Sequence, residues 1–84
     1  MNYRIDWTPG AEQQLAAVWM AAADRPTVTT AVNRLEARLE RNPLQIGHRL
    51  DSSVHRVAYA APLGIEYEVI EDDKRVIVHG VFAD

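Results

Sequence analysis

The 84-residue sequence contains no cysteine, only one lysine and no long apolar run. Without cysteine, the chain cannot form a disulfide framework, a thiolate zinc site or a cysteine nucleophile, and it needs no oxidising compartment. No apolar run approaches the roughly 20 residues of a membrane-spanning helix. The first residues alternate between apolar and charged side chains and lack the apolar segment of a signal peptide. We therefore expect no signal peptide and a cytoplasmic location.

The short motifs that mark many enzymes are also missing. There is no Gly-rich phosphate loop, no nucleophile elbow and no paired-carboxylate motif. The three histidines are His48, His55 and His79, and no two of them stand at helical or zinc-finger spacing. The sequence therefore predicts neither a metal site nor a cofactor.

What is present is an ordinary globular composition, 48% apolar and 25% charged, with a net charge of −3. A chain of this length has room for one hydrophobic core, so we expect a single domain over residues 1–84. The acidic total argues against a strong non-specific nucleic-acid binder. The distribution is uneven, however, because residues 25–56 carry six arginines against three acids while both flanks are net acidic.

The first half of the chain predicts one strand and two helices. Tyr3–Trp7 alternates apolar and charged residues, as a half-buried strand does. Thr8 and Pro9 are typical of an N-cap and first helical position, and they begin a helix predicted to run to about Ala23. Apolar residues at helical spacing predict a second helix over Thr27–Arg41. The two helices are predicted to form an antiparallel hairpin.

The second half predicts β-structure after a loop over residues 42–53. Turns are predicted at residues 62–64 and 71–74. The order β-α-α-β-β-β predicts an α+β domain, in which a mostly antiparallel four-stranded sheet has one face covered by the helical hairpin. Alternating or β-branched runs form the three later strands, Val54–Ala60, Ile65–Val69 and Arg75–Phe82.

Two arginines are the best candidate phosphate ligands. Arg49 lies in the predicted loop and Arg56 lies on the strand that follows it. In one interpretation they clamp a phosphate, with His48 or His55 as the acid–base partner. In the other, Arg56 covers the sheet with its stem or pairs with a glutamate, residue 66 or 68, across the hairpin.

A second basic feature lies on the predicted second helix. At about 100° per residue, Arg34, Arg38 and Arg41 fall along one edge, and no Glu–Arg pair has i,i+4 spacing. This edge either binds a nucleic-acid backbone or an acidic partner, or it is an ordinary solvated face.

Two further expectations concern single side chains. His79 stands among apolar residues, so we expect it to be partly buried and hydrogen-bonded rather than catalytic. Most of the six aromatic residues are expected in the core. Tyr59 is predicted either to pack in the core or on the sheet surface, or to stack on a base.

The order and spacing of several residues resemble the RelE/ParE superfamily of toxins from bacterial type II toxin–antitoxin modules. The similarity extends over nearly the whole chain. It is carried by Tyr3–Pro9 before the first helix, Leu35, Leu39, Asn42, Pro43 and Gly47 around the end of the second, and Arg56, Tyr67–Val69 and Val76–Val78 in the strands.

The resemblance implies a RelE-like fold and a toxin that either cleaves mRNA at the ribosome or inhibits DNA gyrase. It also implies a cognate antitoxin as partner, with the toxin a monomer or homodimer and no membrane association. We take Arg49, Arg56 and His55 as catalytic candidates. Residues that bind nucleic acid or a partner are predicted to be Arg34, Arg38, Arg41 and His48.

The chain departs from the RNase members of that superfamily in its third strand. Those members often carry an arginine there, whereas this chain has Gly64 or Ile65 at that position and glutamates at 66 and 68. Carboxylates at outward positions repel a phosphate. The alternative function is therefore a protein-binding module of the same fold without RNase activity.

Overall fold

The computed structural model describes residues 2–50 and 55–83. The predicted element order is confirmed, with one short strand added in the middle of the chain. No described helix is long and apolar enough to cross a membrane. The elements are β1 (Arg4–Trp7), α1 (Pro9–Ala21), α2 (Arg25–Arg41), β2 (His48–Arg49), β3 (His55–Ala60), β4 (Leu63–Ile70) and β5 (Arg75–Ala83).

Side-chain caps determine where both helices begin. The Thr8 hydroxyl accepts a hydrogen bond from the Ala11 N–H at 3.0 Å, as an N-cap does. The Asp24 carboxylate caps α2 by accepting from the Thr27 N–H at 3.3 Å. Because Asp24 is the cap, α2 starts at Arg25, two residues earlier than the sequence predicts.

The sheet has five strands in the order β1-β5-β4-β3-β2. Neighbouring strands are antiparallel except β1, which runs parallel to β5. The α+β class and the mostly antiparallel sheet are confirmed, and the strand count of four is corrected to five. The added strand lies within the predicted loop over residues 42–53, where His48 pairs with Val57 and Arg49 pairs with Arg56.

The turn between β3 and β4 also differs from the prediction. It lies at residues 61–62, so Leu63 and Gly64 already pair with Ala60 and Tyr59. The sequence pattern placed this turn at residues 62–64 because Pro and Gly are both common in turns. Val54, the predicted start of β3, lies outside the described residues.

Both helices pack against one face of the sheet, and the core lies between them. The core side of α2 is formed by Val28, Ala31, Leu35 and Leu39, all nearly inaccessible to solvent. Full burial of each large apolar side chain contributes roughly 1.5–3 kcal/mol. Alternate residues of each strand point away from this core, onto what we call the open face of the sheet. The strand residues of the core are Ala58, Ala60, Leu63, Ile65, Tyr67, Val76, Val78 and Val81.

Gly47 immediately precedes β2 and has a backbone conformation that few other residues adopt, with φ of +70°. A Cβ atom at this position would lie 2.2 Å from the Val57 carbonyl oxygen. We expect Gly47→Ala to lower the free energy of unfolding by about 1–3 kcal/mol, because both the positive φ and the clash have to be relieved. Urea denaturation measures this change.

Gly10→Ala is the matched control for that substitution. Gly10 lies in the first turn of α1, and the nearest atom to an added Cβ is the Thr8 hydroxyl oxygen at 4.0 Å. Alanine is the better helix former by roughly 0.5–1 kcal/mol, so this variant is expected to be at least as stable as the parent. An unchanged urea midpoint in Gly47→Ala would contradict the account of β2.

Candidate functional site

Most of the ionisable side chains of the strands lie on the open face. Direct neighbours across a sheet share a face, and residues two apart along one strand do so as well. By this rule the open face takes two charged residues from β1, one histidine from each of β2 and β3, two glutamates from β4, and two residues from β5. They are Arg4, Asp6, His48, His55, Glu66, Glu68, Arg75 and His79.

Three of these side chains meet at the centre of the face, and we call them the His–Glu–His cluster: His55, Glu68 and His79. The Nε2 atom of His79 lies 2.9 Å from Oε1 of Glu68, and Nε2 of His55 lies 3.9 Å from the same oxygen. The two imidazole rings are tilted by 52°, with 5.1 Å between their centroids. One carboxylate therefore faces two imidazoles.

Strand pairing brings the cluster together. His55 of β3 is directly opposite Glu68 of β4. On the other side of β4, Glu66 pairs with Gly80 and Tyr67 pairs with Val78, so the intervening His79 is the extra residue of a β-bulge. Bulges redirect side chains within a sheet, and here the imidazole of His79 contacts Glu68. The expectation that His79 is partly buried and hydrogen-bonded is confirmed.

The cluster is partly accessible to solvent, with 26% of the Glu68 side chain, 33% of His79 and 40% of His55 exposed. Imidazole is a common acid–base group in proteins, and a carboxylate beside it orients the ring. A substrate that reaches the open face therefore meets groups able to take and give protons.

An aromatic pair lies toward one end of the same face. Tyr59 and Phe82 contact edge to face with centroids 5.9 Å apart, and their exposed fractions are 48% and 38%. A Cβ at Gly64 would lie 2.5 Å from the Phe82 ring, so the ring rests on this glycine. The prediction that most aromatics are buried is wrong for Phe82 and Trp19, which are exposed. Tyr59 packs on the sheet surface, which is one of the alternatives given for it.

The two arginines of the open face both pair with one carboxylate of the chain. Nε of Arg75 lies 2.8 Å from Oδ2 of Asp6, and Nε of Arg4 lies 3.4 Å from the same oxygen. The hydrogen bond from Arg75 holds the pKa of the Asp6 carboxyl below its ordinary value, and the charge of Arg4 acts in the same direction. Neither guanidinium is an unpaired phosphate ligand.

Arg56 has a structural partner on the helix side of the sheet. Its Nη2 atom donates to the carbonyl oxygens of Leu44 and Ile46, both at 3.1 Å. The predicted pairing with Glu66 or Glu68 is wrong. The direct neighbour of Arg56 on β4 is Tyr67, since the two glutamates point to the opposite face.

Tyr67 reinforces the same segment from the core. Its hydroxyl lies 2.8 Å from the Pro43 carbonyl oxygen and 3.0 Å from that of Ile46. Burial raises the pKa of the Tyr67 phenol, and the hydrogen bond with Arg56 partly offsets this increase. Arg56 and Tyr67 together hold residues 43–46 against the sheet.

The predicted catalytic residues fall into two groups on opposite faces. Arg49 is directly opposite Arg56, and the two line a pocket of about 320 Å³ on the helix side. His55 lies on the open face, and His48 shares that face because it is opposite Val57. The structure therefore brings the two arginines together and separates them from the histidines that were to complete the site.

The basic edge of α2 is also separate from the cluster. Arg34, Arg38 and Arg41 are exposed on a helix that packs on the other side of the sheet. Within residues 2–50 and 55–83, no ion pair involves any of them. They form a solvated cationic edge, and the sheet stands between it and the open face.

Sequence reasoning missed Glu68 as a site residue. The signal was present, because alternation in β3 and β4 makes His55 and Glu68 cross-strand partners once the turn is placed at residues 61–62. The predicted turn over residues 62–64 pairs His55 with a different residue.

The arrangement of two helices on one face of a five-stranded mixed sheet is a RelE-like α+β fold, as the resemblance implied. The matched chain of the toxin–antitoxin complex RelBE2 from Mycobacterium tuberculosis superposes with a TM-score of 0.81 at 17% identity. The similarity covers 100% of this chain and 93% of that one.

Two further complexes share the fold. A chain of the chromosomal ParDE system from P. aeruginosa matches with a TM-score of 0.73 at 13% identity, over 96% of this chain and 95% of that one. A chain of the intact E. coli RelBE toxin–antitoxin complex matches with a TM-score of 0.72 at 16% identity, over 98% and 96%. No protein-family model and no curated protein matches the sequence.

The role of Arg56 in the fold can be separated from a role in binding. Arg56→Met is expected to lower the free energy of unfolding by about 1–3 kcal/mol, because the Leu44 and Ile46 carbonyl oxygens each lose the hydrogen bond from Arg56 and only Ile46 keeps the Tyr67 hydroxyl. Arg49→Met, on the exposed neighbouring strand, is expected to change it by less than about 0.5 kcal/mol. Urea denaturation of both variants provides the comparison, and equal stabilities would refute the anchoring role.

Proposed function

We propose that the chain is the toxin of a type II toxin–antitoxin module and that it cleaves mRNA on the ribosome, with the His–Glu–His cluster as its acid–base centre. The cluster on the open face of a RelE-like sheet is the observation that carries this proposal. DNA gyrase is the less favoured target, because inhibition of gyrase would not use the acid–base chemistry of the cluster.

Cleavage of RNA needs two proton transfers at neighbouring positions. The 2′-hydroxyl loses its proton and its oxygen attacks the adjacent phosphorus, while the departing 5′-oxygen gains a proton as its bond to phosphorus breaks. The products are a 2′,3′-cyclic phosphate and a free 5′-hydroxyl. His55 and His79 supply the base and the acid, and both rings face the same carboxylate oxygen of Glu68, which orients them.

The exposed aromatic pair suits a single-stranded substrate. Unpaired RNA bases stack on aromatic side chains, and each stack contributes about 1–3 kcal/mol. Tyr59 lies four residues along β3 from His55, which corresponds to about 13 Å. A base held at Tyr59 and Phe82 would place the neighbouring phosphates along the strand toward the cluster.

The outer surface of α1 supports an antitoxin as partner. The last two turns of this helix are apolar on the exposed side as well as on the core side, including Trp19 and Met20 with exposed fractions of 38% and 64%. A helix that is apolar all round is normally covered, and exposed apolar patches mark interfaces. Next to Trp19, α1 and α2 form an apolar groove of about 430 Å³. Its walls include Trp7, Leu15, Val28 and Val32, with Glu12 and Glu36 among the lining residues.

This groove would accept an apolar segment of the antitoxin that carries basic residues beside its apolar side chains. The apolar part would cover Trp19 and Leu15, and a basic side chain would meet Glu12. Glu36 is already the acceptor for the Trp7 indole N–H at 3.0 Å, which holds that wall of the groove in place.

Expression of the chain in a bacterial host is expected to arrest growth, and Glu68→Gln and His79→Ala are each expected to relieve the arrest because they remove a member of the cluster. Glu66→Gln is the matched control, since it changes a carboxylate to an amide on the same strand and face but outside the cluster. Primer extension on an mRNA translated by purified ribosomes gives the direct measurement, with cleavage lost in the first two variants only.

Harmless expression at high level would reject the toxin proposal. Arrest that persists in Glu68→Gln, without mRNA cleavage, would reject the cluster as the active centre, and a gyrase supercoiling assay would then identify the other target.

The second candidate function is a protein-binding module of this fold without RNase activity. It is favoured by the pairing of both open-face arginines with Asp6, which leaves no unpaired arginine beside the cluster among the described residues of that face. It predicts that the protein binds its partner with full affinity while translated mRNA stays intact. Specific ribosome-dependent cleavage by the purified chain would reject this candidate.

The product of the adjacent gene is expected to bind this chain through the apolar groove. Trp19→Ala is expected to weaken that complex about 30-fold, as for a hot-spot aromatic worth about 2 kcal/mol. Gln13→Ala, an exposed residue of the same helix outside the groove, is the control and should leave affinity within about twofold. Isothermal titration calorimetry measures both; a larger loss in Arg34→Ala than in Trp19→Ala would move the interface to the basic edge.

A further inference from the structure

We propose that His55, Glu68 and His79 bind a single divalent transition-metal ion, with zinc as the preferred ion. The proposal goes beyond the toxin function and stands without it, because the binding is a property of the isolated chain. No metal site follows from the spacing of these residues in the sequence, since the three ligands come from three different strands.

The ligand atoms are close to the separation that zinc requires. One atom from each residue can be chosen so that all three lie within 4.8 Å of one another. Tetrahedral zinc with bonds of about 2.0–2.1 Å places its ligands about 3.3 Å apart. The two Nε2–Oε1 distances, 2.9 and 3.9 Å, lie on either side of that value. The imidazole nitrogens lie within 4.8 Å of each other, so rotation of the histidine side chains has to close any remaining gap.

Strand pairing fixes the backbone positions of the three ligand residues. His55 and Glu68 are direct partners across β3 and β4, and His79 lies in the bulge of β5 on the other side of Glu68. Sites built on strands of a sheet hold their ligands more precisely than sites on loops. Most of the entropy cost of ordering the three ligands is therefore incurred when the sheet folds, and little of it opposes metal binding.

The chemistry of the ligands selects the class of ion. Two imidazole nitrogens and one carboxylate oxygen suit zinc and its transition-metal neighbours, whereas magnesium and calcium prefer oxygen ligands alone. Three protein ligands leave a fourth position open to solvent, as in catalytic zinc sites. The partial exposure of all three side chains gives that position access to water.

The surroundings also favour a cation. Glu66 lies two residues from Glu68 on the same face, about 7 Å along β4. The arginines of the face are already paired with Asp6. A bound ion would use the imidazole lone pairs that proton transfer needs, so metal occupancy and the acid–base role exclude each other; this last consequence alone rests on the proposed function.

Isothermal titration calorimetry of the full chain with zinc chloride, after removal of metals with EDTA, tests the site. We expect one saturable equivalent of zinc and no heat of binding with magnesium chloride. Glu68→Gln and His79→Gln are each expected to weaken zinc binding at least about tenfold. Glu66→Gln and His48→Gln remove a carboxylate and a histidine from the same face outside the cluster, and they are expected to stay within about twofold.

Two further measurements distinguish the loss of a metal ligand from unfolding of the variant. Thermal melting of each metal-free variant identifies any that are unfolded, and His55→Gln gives a third, independent removal of a ligand. Cobalt(II) added to the parent is expected to give the intense visible bands of a four-coordinate site, which Glu68→Gln should lose. The proposal is overturned by the absence of saturable zinc binding, or by an equal loss of affinity in Glu66→Gln or His48→Gln.

Discussion

The antiparallel pairing of β3 with β4 is the constraint on which the rest of the molecule depends. It places Arg56 opposite Tyr67 on the helix side and His55 opposite Glu68 on the open face. On the helix side, the first pair holds residues 43–46 and so positions Gly47 immediately before β2. On the open face, the second pair forms two thirds of the His–Glu–His cluster. A slip of one residue would exchange the two faces and remove both arrangements at once.

The partners of the arginines explain why imidazole and carboxylate groups, and not unpaired guanidinium groups, dominate the open face. Arg56 is committed to backbone carbonyls, and Arg4 and Arg75 are committed to Asp6. The basic middle of the sequence therefore does not place a basic cleft beside the cluster. Arg49 and Arg56 line their pocket on the helix side, and the other arginines of this segment lie on α2. Proton transfer and ligand binding by imidazole are left as the main capabilities of the face. We propose that recognition of a protein partner falls instead to the apolar surface of α1.

Much of the fold was predictable from local patterns. Capping residues and periodicity located α1 and α2 to within two residues. Alternation located β1, β3 and β4, and β-branched content located β5. Two features were not predictable in this way. β2 is only two residues long, and it exists because β3 offers it partners. The turn at residues 61–62 was misplaced because Pro62 and Gly64 carry similar turn preferences, and only the pairing of the two strands decides between them.

The sequence by itself determined the α+β class, the order of elements and the partly buried state of His79, because these follow from the spacing of apolar and polar residues along the chain. Tertiary structure alone decided which polar residues meet. Arg49 and Arg56 became neighbours on one face, whereas His55 joined Glu68 and His79 on the other. The physical reason is that the face a strand residue occupies, and the residue it contacts, depend on register and on the bulge in β5, which are settled by packing across the sheet.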